Sequence, residues 1–175
     1  MPTIGVAVAI PEPWASQLQD YRKSVGDTMA ATIPTHITLV PPTEVGDDLA
    51  AIEEHLADAA AEVSAFGVHL RGTGTFRPVS PVVFVTLVEG ISQCEHLADV
   101  VRRGPLEVQL DYPYHPHVTV AHHLTDARLD QAFAELAGFE CEFQVDGFHL
   151  FVHDREQGWQ PTRDFPLHSA PDPDR

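Results

Sequence analysis

The same order of elements occurs twice along this chain, and that repetition constrains the fold more than any single motif does. An apolar run at residues 3–10 (TIGVAVAI) opens the chain as a buried strand. Each half then reads helix, strand, helix, strand, strand. In the first half the stripe Trp14, Leu18, Tyr21 and Val25 predicts a helix from about Pro13, stopped at Gly26. Residues 35–40 (THITLV) alternate as a strand that Pro41 and Pro42 end. Residues 47–63 carry Leu49, Ile52, Leu56, Ala59 and Val63 at helical spacing behind an acidic start. Strands at 66–70 and 81–88 follow, separated by the loop GTGTFRPVS.

The second half repeats the series. A helix spans 91–101, where Ser92 and Glu95 suit a capping box. A strand near 106–110 and a proline-punctuated loop lead to HVTVA at 117–121. Thr125 suits the N-cap of a helix whose apolar face is Leu129, Ala132, Phe133 and Leu136, closed by Gly138. Strands at 139–145 and 148–152 complete the unit. The expected fold is α+β: two pseudo-symmetric lobes, each an antiparallel-rich β-sheet with helices packed on its outer face. Neither half is large enough to bury both faces of its own sheet, so residues 1–168 read as a single bilobal domain. The polar, proline-rich stretch 169–175 (SAPDPDR) reads as a disordered tail.

Both halves place H-x-T on the strand after their first helix. Side chains on a strand alternate faces, so His36 and Thr38 share one face while Ile37 and Leu39 share the other. His117 and Thr119 repeat the arrangement over Val118 and Val120. The apolar pairs pack under helices, which leaves both His/Thr pairs facing each other across a cleft between the lobes. Two imidazoles of near-neutral pKa can divide general base and general acid roles. Two threonine hydroxyls can donate to non-bridging phosphate oxygens. Around one phosphodiester, these four groups make a site for in-line displacement at phosphorus that calls for no cofactor and no metal.

Those motifs resemble the signature of the 2H phosphoesterase superfamily, which includes bacterial RNA 2′,3′-cyclic phosphodiesterases, also called 2′-5′ RNA ligases. The contexts IPTHITLVPP and YHPHVTVAHH resemble the two H-x-[ST]-x motifs with their flanks. GTGTFRPVSPVVFVTL resembles the G-x-F-x-P turn and central strand, and GWQPTRDFPL the final segment; the likeness runs over about residues 3–167. It implies a cyclic phosphodiesterase or 2′-5′ RNA ligase-like hydrolase with His36, Thr38, His117 and Thr119 as catalytic residues. Opening a 2′,3′-cyclic phosphate would leave a 2′-phosphate, and the reverse reaction with a 5′-hydroxyl would give a 2′-5′ linkage. The pseudo-symmetry leaves open which histidine is the base. Many relatives carry arginine soon after the second motif, where this chain has Ala121-His122-His123. Phosphate charge then falls to the histidines or to Arg71, Arg77, Arg102 or Arg103. Phe76, Arg77, Tyr114 and His123 are the candidate substrate-binding residues, with Tyr112 and Trp159 as further aromatics able to stack on a base. Arg22 and Lys23 read as an ordinary solvated helix face.

Charge narrows the partners. Ten Lys and Arg stand against 26 Asp and Glu, for a net charge of −16, while histidines number 11. A field of that sign opposes long polyanions, so a small cyclic nucleotide or a short RNA end is favoured and long double-stranded nucleic acid is excluded. Cys94 and Cys141 are too few and too far apart for a disulfide framework or thiolate zinc site. With no leader pattern or spanning apolar run, the expectation is a cytoplasmic monomer without membrane attachment. Two other readings use the same residues: a non-catalytic nucleotide or phosphate-binding module, and a metal-dependent hydrolase built on His115, His117, His122 and His123. Strand alternation sends His122 to the face opposite His117 and His123, which weighs against the metal centre.

Overall fold

The computed structural model describes residues 1–169. It follows the duplicated order: β1 (Thr3–Ala9), α1 (Trp14–Ser24), β2 (His36–Glu44), α2 (Leu49–Glu62), β3 (Phe66–Thr75), β4 (Val82–Glu89), α3 (Ile91–Val101), β5 (His117–His122), α4 (Asp126–Glu135), β6 (Glu140–Val145), β7 (Gly147–Asp154) and β8 (Gly158–Pro166). The eight strands form one sheet in the order β6-β3-β4-β5-β2-β1-β7-β8, and neighbouring strands pair antiparallel throughout. Its middle is a thin seam. There β2 and β5 share one registered pair, Ile37 with Val118, whereas the flanking ladders run over several residues.

The seam divides the sheet into two four-stranded lobes, but these are not the two halves of the sequence. Each half lends its later strands to the other: β3 and β4 join β5 and β6 in one lobe, and β7 and β8 join β1 and β2 in the other. The first helix of each unit also crosses over, with α1 packed on β5 and α3 packed on β2. α2 packs on α3 and β8, and α4 packs on β3, β4 and β5. The H-x-T strands are therefore hydrogen-bonded neighbours in one sheet, not opposing walls of a cleft. Behind them a core of Leu18, Ile37, Leu39, Leu56, Leu97, Val118 and Val120 is sealed from solvent.

Several expectations about elements are corrected by pairing. β2 continues through Pro41 and Pro42 to Glu44, because those prolines fall where the β1–β2 register shifts between Ile4 and Val6. A bulge needs no amide donor from them. GTGT belongs to β3, not to a loop, and sits beyond a similar shift between Leu70 and Thr73. Residues 107–110 pair with nothing; the chain instead makes a short 3-10 turn at Gly104–Leu106 that buries Leu106. No capping box closes α3, whose N-cap is Gly90 at φ 90°. Phe133, assigned to the apolar face of α4, is 40% exposed. β8, with Pro161 and Pro166, is one of the sheet's two edges, a place that tolerates missing donors. The tail from residue 170 onward lies outside the described residues.

The longest helix starts at Leu49, two residues later than expected, so its acidic start precedes the first turn instead of lying within it. The Asp48 carboxylate accepts from the Ala51 amide at 3.1 Å and caps α2. Asp48→Ala should lower unfolding free energy by about 1 kcal/mol, read as a shifted denaturant midpoint at unchanged m-value.

Candidate active site

Antiparallel pairing of Ile37 with Val118 sets His36 opposite Thr119 and Thr38 opposite His117. All four side chains stand on one face, with facing Cβ atoms about 5 Å apart by the geometry of such pairs. Their strand neighbours Ile37, Leu39, Val118 and Val120 point to the other face and are fully buried. One motif thus does two jobs: its apolar positions pin the seam while its polar positions meet above it.

Both histidines are held the same way. Nδ1 of His36 lies 2.7 Å from the Pro34 carbonyl, and Nδ1 of His117 lies 2.7 Å from the His115 carbonyl. A carbonyl only accepts, so in each neutral ring Nδ1 carries the proton and Nε2 keeps its lone pair for the groove. The Thr38 hydroxyl stands 3.1 Å from Nε2 of His36. Burial pulls the His36 pKa down from its ordinary 6.5 to about 4; the Pro34 bond opposes this, while the charges of Arg22 and His117 add to it. Burial lowers His117 as well, helped by His115 and opposed by its carbonyl bond, but less far. Environment thereby separates two histidines that the motif alone leaves equivalent.

This depression links pH to stability. Between pH 6.5 and about 4 the unfolded His36 imidazole is protonated while the folded one is not. The stabilising contribution is fully present above 6.5 and is lost as pH falls through that window. Denaturant midpoints should therefore drop on acidification, and His36→Gln should flatten that part of the drop.

Two cavities open on either side of the four residues. The larger, about 620 Å³, is walled by Phe76, Val79, Tyr112, Tyr114, His115 and His117 among others. The smaller, about 240 Å³, is reached by His36, Arg22, Met29, Phe151 and Trp159. Thr38, Thr119 and His122 line both, so the motif square forms the saddle between them. Phe76 meets His117 edge-on at 4.9 Å between centroids and rests on Phe84 at 4.5 Å. Gly74 makes that stack possible, since a Cβ there would stand 2.6 Å from the Phe84 ring. The Tyr114 hydroxyl donates to the Thr38 carbonyl at 2.7 Å, which straps the 107–116 loop over the motif and leaves the ring as cavity wall.

Not every expected substrate-binding residue is placed for that role. Phe76 and Tyr114 line the larger cavity, but Arg77 lines neither. Its Nη1 pairs with Asp130 at 2.9 Å and Asp126 at 3.6 Å on α4, and its Nε donates to Thr75. His123 lines neither cavity; at φ 53° it turns away and stacks on His122 at 3.7 Å. His122 takes the place expected for it. A bulge explains the exchange: Val83 pairs with Ala121 and Phe84 with Thr119, so Val120 is extra and strand parity flips after it. His122 thus shares the face of Thr119 rather than opposing it, and burial lowers its pKa, with His123 adding to the effect.

Arg22 is the larger correction. Far from a solvated face, it is 3% exposed and enters the smaller cavity beside His36. Its sequence signal is its position four residues after Leu18, the other fully buried member of α1, with Asp27 five residues further on. Among the described residues no group of three or more His, Cys, Asp or Glu is arranged to hold a metal ion, and no helix is long and apolar enough to cross a membrane.

Known proteins share this architecture and sequence. The chain is 30% identical to a candidate phosphoesterase of Bacillus cytotoxicus over 144 residues, covering 81% of this chain and 83% of that one. Against a candidate phosphoesterase of Staphylococcus haemolyticus it is 25% identical, covering 94% and 98% respectively. Among solved structures, TT0787 of Thermus thermophilus matches at a TM-score of 0.68 with 22% identity, covering 97% of this chain and 99% of that one. LigT of E. coli, in complex with 3′-AMP, matches at 0.65 with 20% identity, covering 95% and 99%. These similarities show the common fold of the LigT-like proteins. The model of the 2′-5′ RNA ligase superfamily matches residues 10–157, most of the length over which the motifs and the sheet are laid out. The chain therefore belongs to the 2′-5′ RNA ligase superfamily, the 2H phosphoesterases.

Proposed function

We propose that this phosphoesterase opens a 2′,3′-cyclic phosphate, or a related cyclic or 2′-5′ phosphodiester, on a nucleotide or short RNA end. The observation carrying this reading is the facing placement of His36, Thr38, His117 and Thr119 on one sheet face, with both Nδ1 atoms tied to backbone carbonyls and the Nε2 of His36 shared with the Thr38 hydroxyl. His36, the more strongly depressed imidazole, is deprotonated first and serves as general base for water. His117 protonates the departing ribose oxygen. Thr38 and Thr119 donate to the non-bridging oxygens as charge builds on them. In the reverse direction a 5′-hydroxyl takes the place of water. The aromatic wall of the larger cavity, Phe76, Tyr112 and Tyr114, suits a nucleobase. LigT of E. coli has been solved with 3′-AMP, ATP and NADP+, ligands of the size such a groove can take.

The test is a panel of 2′,3′-cyclic nucleotides and ADP-ribose 1″,2″-cyclic phosphate, assayed with and without EDTA. Turnover to a 2′-phosphate that EDTA leaves unchanged is expected. Binding without turnover would favour a non-catalytic module, and loss with EDTA a metal-dependent hydrolase.

A further inference from the structure

α1 delivers a buried cation to the motif square. Arg22 and its partner Asp27 are each 3% exposed, and they pair through Nε and Oδ2 at 3.1 Å. The other Asp27 oxygen accepts from the Met29 amide at 3.0 Å, and the Asp27 amide donates to the Arg22 carbonyl at 3.0 Å. The carboxylate is thus held at both oxygens and grips one edge of the guanidinium, while the backbone bond fixes the turn between the two residues. Among the described residues the terminal nitrogens have no partner, and no buried side-chain nitrogen is left unsatisfied. They therefore open onto the smaller cavity, where His36, Thr38, Thr119 and His122 also stand.

Among the described residues, Arg22 is the one Lys or Arg that lines either cavity. The other arginines near the site are engaged elsewhere: Arg77 on α4 carboxylates, Arg102 on the Ala98 carbonyl and the Tyr114 ring, Arg103 on Asp99 and Glu62. Burying a guanidinium is costly unless its donors are met, and a fork of planar N–H groups matches two phosphoryl oxygens. In a protein of net charge −16, a local anion site of this kind is what a phosphate ester needs.

We infer that Arg22, positioned by Asp27, binds the reacting phosphoryl group from the side of the smaller cavity and supplies the positive charge missing from the H-x-T strands. This rests on the phosphodiester reading of the same groove. Arg22 is a binding residue under this assignment, and Asp27 a positioning residue. The guanidinium field acting on both His36 and His122 agrees with that closeness.

The first test needs no variant. Inorganic phosphate added to the wild-type protein should shift the Arg22 side-chain resonances in 15N-edited spectra. If phosphate does not bind, or leaves those resonances unmoved, the assignment is overturned. The second test uses Arg22→Gln/Asp27→Asn, which removes both buried charges together, with circular dichroism confirming the fold. Phosphate affinity should fall about tenfold or more, as expected for loss of a charge-assisted pair, and KM for a cyclic nucleotide should rise alongside. Arg22→Lys, which keeps the charge without the fork, should also lose affinity. Wild-type affinity and KM in the folded double variant would overturn the assignment while leaving hydrolysis intact. Absence of turnover in the wild type, with Arg22 still responding to phosphate, would instead sink the functional reading alone. A KM loss confined to substrates bearing an added 5′-phosphate would place the anion away from the reacting group and overturn the assignment as stated.

Discussion

Replacing His36 by alanine should lower kcat for a 2′,3′-cyclic nucleotide by about 10²–10⁴-fold, the range lost when a positioned acid or base is removed. His117→Ala should fall in the same range. The two rings stand diagonally across one four-residue square and work on one phosphorus, so their effects should not add. The double variant should be little worse than the poorer single one, with residual catalysis from the threonine donors and binding. The fold should survive both changes, because each ring stands on the groove face and the buried side chains of its strand lie on the opposite face. Steady-state rates with circular dichroism on the same samples check this. A fully active double variant would remove the histidines from the mechanism.

The second large effect lies directly beneath the square. Ile37 and Val118 are fully buried and form the registered pair that joins the two lobes. Ile37→Ala should cost about 2–5 kcal/mol through lost transfer energy and the cavity left behind. That is a large share of the about 5–15 kcal/mol typical of a whole domain. The seam makes the upper part of the range reasonable, since no second registered pair is present there to hold β2 against β5. Unfolding in denaturant should show a lower midpoint. Activity near neutral pH should also suffer, because His36 and Thr38 flank the substituted residue. An Ile37→Ala protein as stable as the wild type would show that the lobes are joined by helix packing alone.

What could be read from the sequence, and what could not, divides along one physical line. The H-x-T pairs were legible because strand alternation is local: Ile37 and Val118 inward dictates His36, Thr38, His117 and Thr119 outward. Helices α1, α2 and α4 were legible for the same reason, through their apolar stripes, whereas the capping box expected for α3 does not form. Long-range partnership was not. Nothing local shows that β3 and β4 exchange lobes with β7 and β8, or that β2 and β5 pair side by side. The Val120 bulge is also set by the partner strand β4, and it alone decides that His122, not His123, faces the groove. β8 was hidden because an edge strand can carry Pro161 and polar residues without an alternating core face. The burial of Arg22 is masked by its charge and shows only in its position: it lies on the Leu18 stripe, and Asp27 makes its burial tolerable.

In the proposed mechanism two histidines with lowered, unequal pKa values divide the base and acid roles. The pH dependence of kcat/KM for a 2′,3′-cyclic nucleotide tests it most directly. The predicted profile is a bell on the acid side of neutrality. Its acid limb is set by His36 near 4, and its alkaline limb by His117 below 6.5. His36→Ala should abolish the acid limb in the residual activity. A profile flat from acid to neutral pH, or one whose acid limb persists without His36, would contradict the account.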